Sequence, residues 1–309
     1  VERIVEQKDA SEEEQRIVEI NTGVMLCPGA RLKGWLDRLG NDNAQGEYYL
    51  TDVIEMAVGD GVTVHGVKAG SQEEVMGIND KKQLAEAERA LQARLVDQLM
   101  REGVGFADPA RVDIRGTLKC GQDVFIDVNA VFEGDVYLGD GVTVESNNLV
   151  RDSRIGAGTV LHPNCHIEGA TTGQNCEIGP FARMRPGAEL ANNVKLGNFV
   201  EVKKSTIADG SKVNHLTYIG DAEIGTGVNV GAGTITCNYD GANKYKTTIG
   251  NDVFIGSAVN LVAPVNIGAG ATIGAGSTIT KPVPEGELTL ERSKQVTIKG
   301  WKKPVKKEA

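Results

Sequence analysis

The chain has 309 residues, of which 40% are hydrophobic and 24% charged, and this composition indicates a folded protein with two structural units rather than a disordered chain. The net charge of −9 argues against nucleic acid as a partner, and the absence of a long apolar run argues against a membrane partner. Five cysteines without metal or redox spacing are typical of reduced thiols in the cytoplasm.

The first part of the chain, residues 1–79, is predicted to be a mixed α/β region. Its short apolar stretches predict strands and its three- and four-residue apolar spacing predicts helices. The strands are predicted at Arg3–Val5, Gly23–Leu26 and Val62–Val67, and the helices at Leu32–Leu39 and from Thr51, which is a candidate cap. The chain starts with valine inside a pattern, so we expect it to be a fragment or a processed form of a longer protein.

A connecting helix is predicted for residues 80–103. Its apolar side chains recur at three- and four-residue steps, as on one face of an amphipathic helix. The sequence thus divides into an α/β region at 1–79, a connecting helix at 80–103 and a third region at 104–309, which ends in a basic tail.

From about residue 110 the aliphatic residues recur every six positions. This period fits neither an α-helix nor a meander of hairpins, which would not keep one phase for so long. It fits a three-sided coil with one inward side chain per face, so we predict a left-handed parallel β-helix built from hexapeptide repeats. The high glycine content and the 5% of aromatic residues agree with such a core. The predicted inward positions include Phe132, Leu138, Val144, Ile155, Leu161, Ile167, Ile178, Met184, Leu190, Leu196, Val202, Ile207, Val213, Ile219, Ile249, Ile255, Leu261, Ile267, Ile273 and Ile279.

The six-residue phase breaks between Gly231 and Ile249. A solenoid can place an insertion only outside its coil, so residues 232–248 are predicted to form an external loop. Loops on a rigid scaffold often carry binding groups.

Four histidines are candidates for acid–base chemistry. His215 stands between the inward residues Val213 and Ile219, near a corner, and Tyr218 follows it. Arg185 and Lys203 occupy outward positions on nearby turns and predict a pocket for an anion, which Arg can bind with two hydrogen bonds. His215 is therefore the candidate general base, while His65, His162 and His166 are interpreted as structural or surface residues.

Six sequence stretches together resemble the bacterial bifunctional enzymes of UDP-N-acetylglucosamine synthesis, which join a glucosamine-1-phosphate acetyltransferase to an N-acetylglucosamine-1-phosphate uridyltransferase. They are Glu19–Gly23, Asn43–Tyr49, Arg185–Ala188, Gly197–Lys204, His215–Tyr218 and Gly231–Gly241. The resemblance covers essentially the whole chain, and the last three stretches are highly specific. It implies transfer of an acetyl group from acetyl-CoA to the amine of glucosamine 1-phosphate by a cytoplasmic homotrimer with sites between neighbouring coils.

The resemblance also implies roles for particular residues. His215 would be the catalytic base. The sugar phosphate would be held by Arg185, Lys203, Tyr218, Asn229 and Lys244. Acetyl-CoA would be bound by Ala232, Asn238, Tyr239, Ser257, Ala275 and Arg292.

The front of the chain departs from this family. A Gly-rich nucleotide-binding loop and a metal-binding aspartate are missing, so the first half of the uridyltransferase domain is expected to be absent. Glu6, Asn21 and Asn79 match the remaining nucleotide-sugar contacts, and Asn79 also matches a Mg²⁺ ligand. A separate N-terminal fragment is a possible partner, and uridyltransferase activity is not expected from this chain alone. A second departure is Leu288–Arg292, at the rim of the CoA site, where the family has smaller apolar residues.

Other functions remain open from the residues, including that of a non-catalytic scaffold. A hexapeptide-repeat acyltransferase could act on a different amine or hydroxyl acceptor. A coil of the carbonic anhydrase type would need three histidines around zinc, and His215 lies several turns from His162 and His166.

Overall fold

The computed structural model describes residues 1–304. Part of the predicted basic tail, including Lys306 and Lys307, lies outside these residues. The chain divides into two compact units, one formed by Val1–Ala90 and a second that begins at Leu91. Among the described residues, no helix has both the length and the apolar character that crossing a bilayer would need.

The first unit is built around two short helices. They are α1 (Gly29–Leu36) and α2 (Val53–Gly59), with single 3₁₀ turns at Glu14–Arg16, Leu50–Asp52 and Glu73–Val75. Trp35 of α1 packs with Val53, Ile54 and Ala57 in a small core. The Trp35 indole donates a 2.8 Å hydrogen bond to the Asp60 carboxylate, which also accepts from Arg38.

The strands predicted at Arg3–Val5, Gly23–Leu26 and Val62–Val67 are not found. These stretches have no strand pairing in the described part of the first unit. A strand requires a partner whose N–H and C=O groups complete its ladder, so apolar alternation alone does not produce one. Thr51 does not cap α2 either, because its hydroxyl donates to Glu6 instead, at 3.4 Å.

The long helix α3 (Lys81–Arg101) leads to the coil. Leu95, Val96 and Leu99 pack against the coil core. The buried Gln92 amide donates to the Ile114 carbonyl and accepts from the Ile114 N–H, both at 2.8 Å. A glutamine side chain thus takes the place of a neighbouring strand at the first, otherwise open, edge of the coil.

The second unit is a parallel β-solenoid with three faces, as the six-residue period predicts. A 3₁₀ turn at Pro109–Arg111 leads into its first long strand. The first face contains β1 (Gly105–Phe106), β3 (Phe125–Ile126), β5 (Thr143–Val144), β8 (Val160–Leu161), β11 (Glu177–Ile178), β14 (Lys195–Asn198), β17 (Lys212–His215), β20 (Asn229–Val230), β23 (Phe254–Ile255), β26 (Thr272–Ile273) and β28 (Leu288–Thr289).

The other two faces share the long bent strands β2 (Val112–Cys120) and β4 (Ala130–Leu138). The second face continues with β6 (Leu149–Arg151), β9 (His166–Glu168), β12 (Arg183–Met184), β15 (Glu201–Lys203), β18 (Tyr218–Gly220), β21 (Ile235–Cys237), β24 (Asn260–Val262) and β27 (Thr278–Ile279). The third contains β7 (Arg154–Ile155), β10 (Thr171–Thr172), β13 (Ala188–Leu190), β16 (Ser205–Ile207), β19 (Ala222–Ile224), β22 (Thr247–Ile249) and β25 (Val265–Ile267).

The predicted inward positions are confirmed as the core of the coil. All of them are buried and belong to one continuous cluster. On most turns, partners in register lie 17 or 18 positions apart, as Thr143 with Val160 and Glu177 with Lys195. Each aliphatic side chain therefore stacks on the one from the previous turn.

The external loop is shorter than predicted. Residues 232–237 still follow the coil, and Thr236 occupies the inward position six residues after Val230. Threonine fits there because its shape resembles that of valine and because its hydroxyl bonds to the Gly220 carbonyl at 3.1 Å. The insertion is confined to residues 238–246, and it widens the register spacing to 25 positions between Ala222 and Thr247.

Candidate functional site

His215 ends strand β17 at a corner of the coil, where it is exposed. Its backbone is held firmly, because its carbonyl accepts hydrogen bonds from the Thr217 hydroxyl at 2.6 Å and from the Gly233 N–H at 3.2 Å. Its imidazole Nδ1 lies 2.9 Å from the Asn198 Oδ1 on the preceding turn. The ring is therefore fixed on one side and free on the other.

A shallow groove of about 320 Å³ lies beside His215 on the first face. Gly179 and Gly197 form part of its wall, with Asn198 and Asn214 near the histidine. A Cβ at Gly197 would lie 2.0 Å from the Asn214 carbonyl oxygen, so only glycine lets these two turns stack. The groove can admit a small polar molecule.

His162 also lines this groove, which the sequence interpretation missed. Its Nδ1 lies 3.2 Å from the Glu145 carboxylate. The coil period contained the signal, because His162, Gly179, Gly197 and Asn214 each follow an inward residue of the first face at steps of 17 or 18 positions.

Three of the predicted phosphate contacts meet on the second face. Lys203 lies at the end of β15, Arg185 follows β12 one turn earlier, and Lys244 reaches them from the external loop. The Lys244 ammonium group lowers the pKa of Lys203, and partial burial and Arg185 act in the same direction. Glu201 balances part of the charge through a 2.9 Å ion pair with Arg185. Grouped cations of this kind favour an anion between them.

Tyr218 lies between this cationic group and His215. It is in register with Glu201 at the start of β18, three residues after the histidine and around one corner. A Cβ at Gly220 would lie 2.4 Å from the Tyr218 hydroxyl, so the ring covers this glycine. Asn229 is farther away, since it pairs with Lys212 at the opposite end of β17.

Lys244 is held in place by the hydrogen bonds of its loop. The Asp240 carboxylate accepts from the N–H groups of Ala242 and Asn243 at 2.8 and 2.6 Å, and these bonds lower the pKa of Asp240. Tyr239 pairs with Lys244 in an antiparallel bridge. The loop is thus an ordered hairpin rather than a flexible tether.

A column of small residues continues above His215 along the same corner. Backbone hydrogen bonds connect its turns, because the Ala258 N–H donates to Ala232 at 2.7 Å and the Gly276 N–H donates to Ser257 at 2.8 Å. The strand registers place Ala232 above His215, Ser257 above Ala232, and Ala275 above Ser257. We call Asn198, His215, Ala232, Ser257 and Ala275 the corner column. The side chains of Ala232, Ser257 and Ala275 are short, so an open track leads past them along the coil to His215.

The remaining predicted acetyl-CoA contacts lie around this track. The Arg292 guanidinium donates to the Ala275 carbonyl at 3.0 Å, at the upper end of the corner column. Asn238 is buried and donates to the Asp221 carboxylate at 2.5 Å, whereas Tyr239 is exposed on the loop. The structure therefore brings the predicted base, sugar-phosphate and acetyl-CoA residues to one edge, with Asn229 at its margin.

The four cysteines of the coil do not offer a nucleophile. Burial raises the pKa of the Cys120 thiol to about 12 and that of Cys165 to about 11. It also raises the pKa of Cys176 and of Cys237, the thiol closest to the external loop. The thiols are thus protonated at neutral pH, and a direct transfer without an acyl-cysteine fits the site.

The three residues of the first unit that were predicted to contact a nucleotide sugar each have different surroundings. Glu6 contacts Thr51, the Asn79 N–H bonds to Gln83, and Asn21 is exposed. Residues 1–304 contain no group of three or more His, Cys, Asp or Glu residues that could hold a metal ion. One amide oxygen at Asn79 is not enough for Mg²⁺, which prefers several oxygen ligands, so the described residues do not fit a magnesium site.

Comparisons with known proteins cover the whole chain. A model of the bacterial transferase hexapeptide family, with six repeats, matches residues 246–281. The bifunctional protein GlmU of Aromatoleum aromaticum is 61% identical over 307 residues, which are 99% of this chain and 68% of that protein. The proteins of the same name from Ralstonia pickettii and Chromobacterium violaceum are 58% and 57% identical, and the matches cover 99% and 98% of this chain and 67% of each relative. The chain thus spans about two thirds of the length of these relatives.

Proposed function

The chain belongs to the family of bifunctional GlmU proteins, and from this premise we propose that it transfers the acetyl group of acetyl-CoA to the amine of glucosamine 1-phosphate, with His215 as the general base. The observation that carries the proposal is the corner column. An open track along this column ends at His215, and the cations Arg185, Lys203 and Lys244 lie around the next corner of the coil. A thioester and a phosphate can thus approach the same imidazole from two sides.

The reaction follows from this arrangement. The cationic group binds the phosphate and directs the sugar amine towards His215, and the thioester carbonyl is presented from the track above it. The amine nitrogen forms a bond to the carbonyl carbon while the imidazole accepts the amine proton. The carbon–sulfur bond then breaks, and the proton passes to the departing CoA thiolate. No covalent enzyme intermediate is required.

The identity of the acceptor distinguishes this function from the transfer of an acyl group to a different molecule. A hexapeptide acyltransferase for a neutral acceptor would not need two cations on neighbouring turns and a third on the external loop. The phosphate of glucosamine 1-phosphate provides the matching charge, and the product belongs to the synthesis of UDP-N-acetylglucosamine. The alternative acceptor is therefore not favoured.

The proposal includes the assembly of three chains into a homotrimer in the cytoplasm. Phe181, Phe199 and Leu216 form an exposed apolar ridge beside the corner column, and the two phenyl rings stack at 5.3 Å. A neighbouring coil would bury this ridge and enclose the site. Sedimentation of the protein should give three times the mass of one chain, and a monomer that is active at every concentration would contradict this assembly.

The contacts of Glu6, Asn21 and Asn79 with a nucleotide sugar stay a prediction, as do the absent first half of the uridyltransferase domain and its supply by a separate chain. The same holds for the predicted boundaries at 79–80 and 103–104. Acetyl transfer does not depend on any of them, because its residues all lie in the coil.

Replacement of the imidazole tests the function. His215→Ala should lower kcat by about two orders of magnitude or more, which is the contribution of a positioned general base. Thiol release from acetyl-CoA with glucosamine 1-phosphate measures the rate. His166→Ala is the control, because this histidine lies in β9 and does not line the groove, and it should keep most of the turnover. An unchanged rate in His215→Ala would remove the histidine from this role.

A further inference from the structure

The side chain in contact with the His215 ring is Asn198, which is not among the substrate or acetyl-CoA residues assigned above. The two residues are direct partners in the β14–β17 pairing, and the Asn198 Oδ1 lies 2.9 Å from the His215 Nδ1. A carboxamide oxygen can only accept a hydrogen bond, so Nδ1 must carry the proton and Nε2 must carry the lone pair.

We propose that Asn198 is a positioning residue that selects the Nδ1–H tautomer of His215 and so makes Nε2 the atom that accepts the amine proton. The inference rests on the proposed function, because it assigns the proton to one atom of the proposed base. Without the asparagine the neutral ring would distribute its proton between both nitrogens and rotate about its side-chain bonds. Only part of the molecules would then present a lone pair to the substrate.

The position of Asn198 is fixed by its surroundings. The backbone carbonyl of Asn198 accepts a hydrogen bond from the Leu216 N–H at 3.1 Å, so the backbones of the two turns are joined next to the side-chain contact. Gly197 packs against the Asn214 backbone, and Phe199 stacks on Phe181. Both flanking residues therefore hold the amide against the ring, and the alignment exists before substrate binds.

A neutral partner suits this role. A carboxylate at the same place would stabilise the imidazolium ion as well as orient the ring. The two carboxylates beside the groove already have partners, since Glu177 accepts from Lys195 at 2.7 Å and Glu145 lies beside His162. The amide of Asn198 is thus left to set the tautomer without adding charge.

The tautomer can be read directly by NMR of the full chain labelled with ¹⁵N-histidine. The protein has four histidines, and the His215 signals are those that disappear in His215→Ala. At a pH of about 8 the wild type should show a protonated Nδ1 and an unprotonated Nε2. Asn198→Ala should show averaged nitrogen signals. A wild-type ring protonated at Nε2 would overturn the inference.

Kinetics provide the second readout. Asn198→Ala should lower kcat about tenfold or more, a part of the ~10²–10⁴ that a general base contributes, while KM for glucosamine 1-phosphate changes less than about twofold. Asn198→Asp still offers an acceptor oxygen and should recover most of the loss. Full turnover in Asn198→Ala, or no recovery in Asn198→Asp with a folded coil, would contradict the role.

A matched control separates this role from a structural one. The side-chain oxygen of Asn192 also accepts a hydrogen bond, in this case from the Gln174 N–H at 2.9 Å, but at a different corner of the coil. Asn192→Ala should change thermal stability without changing the His215 tautomer. If His215→Ala stays active, the proposed base is wrong. If His215→Ala is inactive and Asn198→Ala is normal, only the present inference fails.

Discussion

The coil and the first unit differ in how their sequences determine structure. In the coil, a residue's distance from the last inward aliphatic side chain tells whether it is buried, exposed or at a corner. The first unit has no such period, and its core contains only four buried side chains, those of Trp35, Val53, Ile54 and Ala57. Several of its apolar residues, including Val18 and Leu26, are exposed. Repetition thus gives a core that continues along the coil, while the first unit depends on a few specific contacts.

The largest effect that can test this difference is the loss of one core side chain in each unit. Ile219→Ala in the coil should destabilise it by about 2–5 kcal/mol, and Trp35→Ala should destabilise the first unit by about 3–5 kcal/mol. Acetyl transfer should lose heat resistance only in the Ile219 variant, because every residue of the proposed site lies in the coil. Denaturant unfolding and acetyl transfer, measured on the same samples, check both values.

A calibration variant and one contrary outcome complete this test. Ile219→Val removes only one methylene group and should cost about 0.5–1.5 kcal/mol, so it calibrates the coil. If Trp35→Ala abolishes acetyl transfer at 25 °C while the coil stays folded, then the first unit contributes to the site. The separation between the two units would then be wrong.

The same contrast explains what the sequence could predict. All twenty residues that the period predicted to point inward are buried in the coil core, although Ile126, Val150 and Ile224 were not among them. Arg185 and Lys203 could be placed on one face because they stand at equivalent positions. Thr236 was missed because a polar residue occupied an aliphatic position. Its hydroxyl is satisfied by the backbone of another turn, since it donates to the Gly220 carbonyl and accepts from the Gly220 N–H. The left-handed sense of the coil stays a prediction from the resemblance and the period.

Side-chain contacts between turns were beyond the period alone. His162 was interpreted as structural because it has no basic companions on its own turn, whereas its companions in the groove lie one to three turns away along the chain. Asn198 was quoted only as part of a motif, since its contact with His215 requires the register of β14 and β17. In the first unit, three predicted strands failed because no partner strand is nearby in the described residues.

A second prediction compares one cation of the coil with one polar residue of the first unit. Lys203→Ala should raise KM for glucosamine 1-phosphate about tenfold or more, because a charge-assisted hydrogen bond contributes about 1.5–3 kcal/mol. Asn21→Ala should leave acetyl transfer unchanged. Steady-state kinetics at fixed acetyl-CoA measure both, and an equal rise of KM in the two variants would place part of the acceptor site in the first unit.

The smallest expected effect concerns pH. The pKa of Lys203 is lowered chiefly by Lys244, so Lys203 should lose its charge at a lower pH than an ordinary lysine. Affinity for a phosphate should therefore be full at neutral pH and fall as the pH rises through this lowered pKa. In Lys244→Ala the fall should move to higher pH, although affinity at neutral pH becomes weaker because one cation is gone.

N-acetylglucosamine 1-phosphate is the suitable probe, because it has no amine that titrates in the same range and reports the phosphate contact alone. Its dissociation constant should be followed from neutral pH to above pH 10 in the wild type, in Lys244→Ala and in Lys68→Ala. Lys68 is an exposed lysine of the first unit, so its replacement should leave the curve where it is. A curve that stays unmoved in Lys244→Ala would mean that the loop lysine does not face Lys203 in the bound state, and the phosphate site would then belong to the regular turns of the coil alone.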